Sequence, residues 1–264
     1  MPHFRYDKTL LVKAYTYQLE SKGMPSGIYG ALSGAVTVDN HLEVLSNNLA
    51  NVSTPGFKQD RCYFQSILNN TIQNGIASGV NYASMENTET DFSQGRIEHT
   101  GRRLDLAIQG EGFFKVAGED GFYYTRYGGF SRMPDGAVVT RSGQQLVGED
   151  GPINVPDQQV SIEPDGTVMG ANGQQLGQID LYTFADLNAL QKHGDSMWTI
   201  EDPDQEEVIE QPEIHQAHLE ASNVSPIWIT TQLIGENRNY QFYQRTVKAY
   251  DTMAENRNSI GRIG

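Results

Sequence analysis

The chain has 264 residues, 38% of them hydrophobic, and a formal net charge of −14 from 33 acidic and 19 basic side chains. That length suffices for one large domain or two small ones, while the acidic balance repels phosphate backbones and argues against a nucleic-acid partner. No window approaches the roughly 18 unbroken apolar residues of a membrane span, and Cys62, the lone cysteine, excludes an intrachain disulfide.

Residues 1–23 form an N-terminal extension with charges throughout (Arg5, Asp7, Lys8, Lys13, Glu20). It lacks the apolar h-region and small-residue cleavage site of a conventional secretory signal, so a soluble chain without a cleaved leader is expected. Its apolar residues (Leu10, Leu11, Val12, Ala14, Tyr15, Tyr17, Leu19) crowd every face of any helix drawn through them. Three readings compete: translation begins at Met24, the segment is an export signal, or it is an added contact arm. The first is preferred, because Met24 sits two residues before a Ser26 cap.

Residues 24–58 read as an N-terminal assembly helix and turn. Apolar residues fall at Ile28, Leu32, Ala35, Val38, Leu42, Leu45, Leu49 and Val52, steps of four and three with one repeated three, which is a coiled-coil-like seam. Thr54 precedes a proline, and Pro55-Gly56 suits a tight turn that ends the helix. The last turn and a half holds Asn47, Asn48 and Asn51, poor residues for a helix interior because their amides compete for local backbone groups. Asn48 falls beside the seam; Asn47 and Asn51 point away from Leu49. In a monomer such amides are wasted polar surface, so the expectation is that they fix one register between packed copies, as a buried asparagine does in coiled coils.

Residues 59–100 read as a connecting segment and 101–212 as a central all-β domain. Leu104, Leu106 and Ile108 alternate with Asp105, Ala107 and Gln109, the pattern of a half-buried strand. Asp-Gly pairs recur at 120/121, 135/136, 150/151 and 165/166, and Asn172-Gly173 follows, each suited to the positive φ angles of a hairpin turn. "DGAVVTRSGQQL" from Asp135 returns thirty residues later as "DGTVMGANGQQL" from Asp165, predicting two hairpins of similar build laid side by side.

Residues 213–264 read as a C-terminal assembly helix. The apolar period returns from Leu219, and Ile229, Leu233, Glu236, Tyr240, Tyr243, Val247, Tyr250 and Ala254 alternate four and three, with Glu236 the one polar member. Asn223 or Ser225 suits the cap, and Pro226 an early helical position. The fold class is therefore α+β, with coiled-coil-like terminal helices and a central all-β domain inserted between them. Isolated seams need partners; these two are expected to find each other and then neighbouring copies.

No active site emerges. His215 and His218, with Glu213 and Glu220, could share a helical face, but no Cys or His cluster among the six histidines completes a ligand set, so no metal is expected. "QGEGFF" (109–114) lacks the third glycine and the helix of a nucleotide loop, and Gly110 and Gly112 are expected in a bulge or tight turn. The scattered aspartates serve turns rather than acid–base chemistry, no nucleophile elbow is present, and "EDPDQEEVIE" (201–210) reads as a solvated loop without EF-hand spacing. Neither catalysis nor a cofactor is predicted.

"ALSGAVTVDNHLEVLSNNLANVSTPGFK" (31–58) closely resembles the N-terminal motif of bacterial flagellar rod and hook proteins, and the resemblance continues in "DFSQGRIEHTGRRLDLAIQGEGFFKV" (91–116), "YTRYGGF" (124–130) and "LEASNVSP" (219–226). It covers the chain from about Met24 onward, and the length fits rod subunits rather than a hook protein. Distal rod subunits tend to carry Gln-Arg-Ala-Tyr-Glu in the last helix and a Leu-rich end. Here the run is Asn237-Arg238-Asn239-Tyr240-Gln241 and the end is "NSIGRIG", which resembles the proximal branch more. Arg238, Tyr240 and Asp251 keep the family pattern, whereas Gln241 replaces its acidic residue.

The resemblance implies a structural subunit of the rod that transmits torque across the periplasm. Its partners would be itself, other rod subunits and the flagellar type III export apparatus. The assembly interface it points to comprises Leu32, Leu42, Leu45, Asn47, Asn48, Leu49, Asn51, Leu219, Asn223, Ile229, Leu233, Arg238, Tyr240, Tyr243, Val247 and Tyr250, with Pro55 and Gly56 forming the turn. The alternatives are a distal rod subunit, a surface or secreted ligand-binding module and, as a third class, a hydrolase using the scattered carboxylates.

Overall fold

The four-three spacing of the first seam becomes helix α1 (Ser26–Ala50) in the computed structural model of the chain, which describes residues 26–73, 76–157 and 159–260. The N-terminal extension, with its Met24 start, lies outside the described residues. Residues 59–100, read as a connecting segment, instead hold two long strands, β1 (Asp60–Gln73) and β2 (Ile76–Thr90), paired in a sheet of their own. At the other end α2 runs from Pro226 to Ile260 and begins at the proline, whose missing N–H costs nothing in a first turn.

The chain divides into two compact units. One holds α1 to Ser46, Cys62–Thr88 and α2 from Thr230; the other holds Asn47–Arg61 and Glu89–Ile229. In the first unit the helices run antiparallel. Gly34 lies against Tyr243, and His41 Nδ1 is 3.2 Å from Glu236 Oε1, so seven residues forward on α1 match seven back on α2. A Cβ at Gly34 would fall 2.5 Å from the Tyr243 ring, so the absent side chain is what admits it. The seam positions Leu233, Glu236, Tyr240, Tyr243, Val247 and Tyr250 are half-buried, whereas most of the residues between them are exposed. The polar exception in the seam, Glu236, is the position that meets His41.

The second unit is mostly β. Its strands are β3 (Ile97–His99), β4 (Leu106–Ile108), β5 (Phe113–Gly118), β6 (Gly121–Thr125), β7 (Ser131–Arg132), β8 (Val138–Val139), β9 (Gln145–Gly148) and β10 (Gly151–Pro152). There follow β11 (Val160–Ile162), β12 (Thr167–Gly170), β13 (Gln175–Gln178), β14 (Leu181–Phe184), β15 (Gln191–Gly194), β16 (Met197–Thr199), β17 (Glu206–Val208), β18 (Ile214–Gln216) and β19 (His218–Glu220). The main antiparallel sheet has the order β15-β16-β6-β5-β9-β8-β7, with β10 on β9, β14 on β5 and β17 on β14. A separate sheet contains β11-β12-β13, while β18 pairs β4 and β19 pairs β3. Strand β5 shows the two-residue period at work. Phe114 and Val116 enter one core with Phe130, Leu146 and Ile179; Phe113 enters another with Tyr124, Phe184 and Trp198.

The Asp-Gly and Asn-Gly pairs fall at hairpin turns, and Gly121, Gly136, Gly151, Gly166 and Gly173 all have φ between +71° and +139°. The turn bonds of the repeat recur in both copies. The carboxylates of Asp135 and Asp165 each accept from the N–H two residues on at 3.0 Å, and Gly143 and Gly173 each donate to the carbonyl three residues back, at 3.1 and 3.0 Å. The two hairpins do not lie side by side in one sheet, however. β8-β9 belongs to the main sheet and β12-β13 to the small one, and the pair share a core through Val138, Leu146, Val168 and Ile179.

Three further expectations change. β4 is buried on both faces, because Ala107 is small and Asp105 is held by the Thr100 hydroxyl at 2.7 Å. The acidic loop contains β17, despite the low strand propensity of Glu, since Tyr182, Thr183 and Phe184 pair with its residues and Lys115 meets Glu206 at 2.8 Å. Ile214–Gln216 and His218–Glu220 are strands rather than helix, separated by Ala217 at φ +61°, which places His215 and His218 on β18 and β19, with the His218 ring 5.0 Å from that of His99.

Candidate functional site

The asparagine-rich end of α1 closes on itself before the chain turns. Asn51 N donates to Asn47 O at 3.2 Å, its amide donates to the same carbonyl at 3.0 Å, and Thr54 N donates to Asn51 O at 3.1 Å. Gly56 then takes φ +68° and donates to Glu220 O at 2.8 Å, so close to the backbone of Arg126 and Tyr127 that a Cβ would lie 2.5 Å from Tyr127 N. Both the handedness and the contact demand glycine. Gly56→Ala is expected to cost about 2 kcal/mol or more, since the left-handed penalty alone is about 1–2 kcal/mol. A thermal melt of the variant matching the parent would refute that.

This turn aims Lys58 inward. Its side chain is 1% exposed, and Nζ sits 2.6 Å from Glu220 Oε1 and 2.7 Å from Ser93 O. Glu220, also 1% exposed, accepts from Gly95 N at 2.8 Å and pairs its second oxygen with Arg126 Nη1 at 3.3 Å. Arg126 in turn donates to Gly110 O at 2.8 Å and lies over the Phe113 ring at 5.4 Å. Burial pushes the Lys58 ammonium below the ordinary lysine value against the pull of Glu220, and it pushes the Arg126 guanidinium down likewise. One carboxylate thus serves two buried cations.

Two asparagines complete the clasp. Asn48, 1% exposed, donates through Nδ2 to Asp60 O at 2.8 Å and accepts at Oδ1 from Asp60 N at 2.9 Å. Asn223 accepts from Gln59 N at 2.9 Å and donates to Asp91 O at 2.8 Å. Each amide stands in for a peptide group, and the two grip adjacent residues at the start of β1. Asp91 closes the same strand pair. Although burial pushes its carboxyl up, hydrogen bonds from Gln59 and Ser93 and the Arg61 guanidinium, 2.6 Å away, hold it below the usual aspartate value.

The remaining seam and turn residues named from sequence are distributed as follows. Leu45 and Ile229 are buried; Leu32, Leu42, Leu49, Asn51, Pro55 and Leu219 are half-buried; Asn47 and Arg238 are exposed. Leu219 lies in β19 rather than on α2. Asn48 is not wasted polar surface in a single chain, because both ends of its amide bond Asp60. Lys58, Arg126 and Glu220 were missed, although each is a charge set among apolar and small residues within a quoted motif. Among the described residues, no cluster of three His, Cys, Asp or Glu is placed to hold a metal, and no helix is long and apolar enough to cross a membrane.

Three family models match the chain: flagella basal body rod protein at residues 28–58, flagellar hook protein FlgE/F/G D1 domain at 107–170, and flagellar basal body rod FlgEFG protein C-terminal at 215–260. Among curated proteins it is similar to the flagellar basal-body rod protein FlgF of Caulobacter vibrioides, 32% identical over 91% of this chain and 99% of the relative. It is also similar to FlgG of Agrobacterium fabrum, 30% identical over 85% and 95%, and to FlgG of Bacillus subtilis, 30% identical over 66% and 73%. Lys58, Arg126 and Glu220 fall one in each of the three matched regions, so the clasp is where those regions meet, and the chain belongs to the flagellar basal-body rod protein family, whose members are structural and not enzymes.

Proposed function

We propose that the chain is the FlgF-like, proximal subunit of the flagellar rod. It polymerises with itself and with other rod subunits into the helical driveshaft that crosses the periplasm and transmits torque to the hook. Delivery is by the flagellar type III export apparatus. The observation that carries assembly is α2, which spends one face on the seam with α1 yet leaves Trp228, Ile234, Phe242 and Met253 more than half exposed on the other. At about 100° per residue these four fall within about 120° of arc, roughly opposite the seam. A soluble helix that keeps a second apolar stripe is built for neighbours.

In this reading Leu32, Leu42, Leu45, Leu233, Tyr240, Tyr243, Val247 and Tyr250 order the inner helical layer, with Arg238 on its outer side. The departure from the distal pattern at Asn237–Gln241 supports the proximal position, and the likeness to FlgF of Caulobacter vibrioides is in keeping with it. Expression in strains lacking FlgF or FlgG is the test. Swimming restored in the first and not the second is expected, with the chain recovered in purified basal bodies. Its absence from basal bodies would end the rod assignment, and rescue of the FlgG strain alone would reassign it to the distal position.

A further inference from the structure

The second unit carries an open cleft of about 590 Å³, lined by the segment after β2, the Gly110–Phe113 turn and the segment after β14. Phe113 and Phe184 are buried at its floor, Phe92 and Leu187 form half-buried walls, and the exposed carboxylate of Glu111 stands at its lip. The cationic lining residue, Arg126, faces Glu220 and is also drawn by the Glu111 carboxylate, and the Asp91 carboxylate is taken by Arg61. Glu111 is the exposed charged residue of the lining, above an apolar floor. A fitting occupant is a bulky apolar side chain flanked by a cation.

The outer face of α2 presents that combination. Phe242 is 62% exposed, with exposed Arg238 one turn before it and exposed Arg245 one turn after. In a chain with net charge −14, two arginines bracketing an exposed aromatic form a local positive patch of the kind that selects an acidic partner. We propose that this face of α2 docks into the cleft of a second copy, Phe242 against Phe92, Phe184 and Leu187, and Arg245 opposite Glu111. The contact is heterologous, since the helix face of one copy meets the cleft of the next, and it leaves a free cleft and a free helix at the ends of any chain of copies. It rests on the reading that the protein assembles with itself.

The test is a charge exchange in the full chain, followed by sedimentation velocity over a concentration series. Glu111→Arg and Arg245→Glu should each weaken self-association roughly tenfold or more, and the double variant should recover most of it. A second measurement mixes two populations in a Cys62→Ser background, one carrying Phe242→Cys and the other Leu187→Cys, under mild oxidation. A disulfide between the populations, in excess of either homodimer, is expected. Single charge variants that associate like the parent, or no excess of the mixed disulfide, overturn the contact while parent self-association leaves the rod reading standing. A parent chain that stays monomeric at every concentration and gives no mixed disulfide overturns the contact and self-assembly together.

Discussion

Glu220→Ala is expected to destabilise the β unit by about 3–5 kcal/mol, the cost of removing one partner from a buried ion pair. The magnitude follows from what is left behind. Lys58 keeps only Ser93 O at 2.7 Å, Arg126 keeps Gly110 O at 2.8 Å, and two buried cations lose their shared anion. Gly95 N also loses its acceptor. Lys58→Met should cost less, because Glu220 retains Arg126 and Gly95 and the methionine occupies much the same volume. Glu220→Gln, which keeps the volume and removes the charge, separates the clasp from ordinary packing, since a loss of volume alone predicts almost no effect for it. Urea unfolding followed by tryptophan fluorescence, to which buried Trp198 contributes, reads all three variants. A Glu220→Ala midpoint close to that of the parent would show that the clasp contributes little.

The periodic and turn-forming parts of the fold were legible in the sequence, and the joint was not. Ile28 to Val52 and Ile229 to Ala254 announced helices because their apolar spacing is local, and the Asp-Gly and Asn-Gly pairs announced hairpins because positive φ is a property of single residues. Strands β3, β18 and β19 are three residues each and were hidden, since their only support is pairing across more than 100 positions, as in His218 with His99. The clasp was hidden for the same reason. Lys58 and Glu220 are 162 residues apart, and in sequence a lone lysine reads as surface. What was visible was a charge inside each quoted motif, "GFK", "YTRYGG" and "LEAS"; the structure adds that these charges are one another's partners.

Asn48→Asp, the second large effect, follows from the asparagine cluster that ends α1. Asn48 is 1% exposed and uses both ends of its amide on one residue, donating to Asp60 O and accepting from Asp60 N. Aspartate keeps the acceptor and replaces the donor by an anionic oxygen facing that carbonyl, with the Asp60 carboxylate on the same residue. An unsatisfied buried polar group costs about 1–3 kcal/mol and a charge more, so a loss of about 3 kcal/mol or more is expected, with motility lost in a complemented strain. Asn48→Ala removes both hydrogen bonds without placing a charge and should fall between the parent and the aspartate variant. Asn47 makes the contrast, because its exposed side chain can carry a charge into water, and Asn47→Asp should fold like the parent. Loss of motility in a stably folded Asn47→Asp would place that residue at a contact between copies. If Asn48→Asp unfolds at the parent's urea concentration, the grip on Asp60 does not hold the helix to its strand.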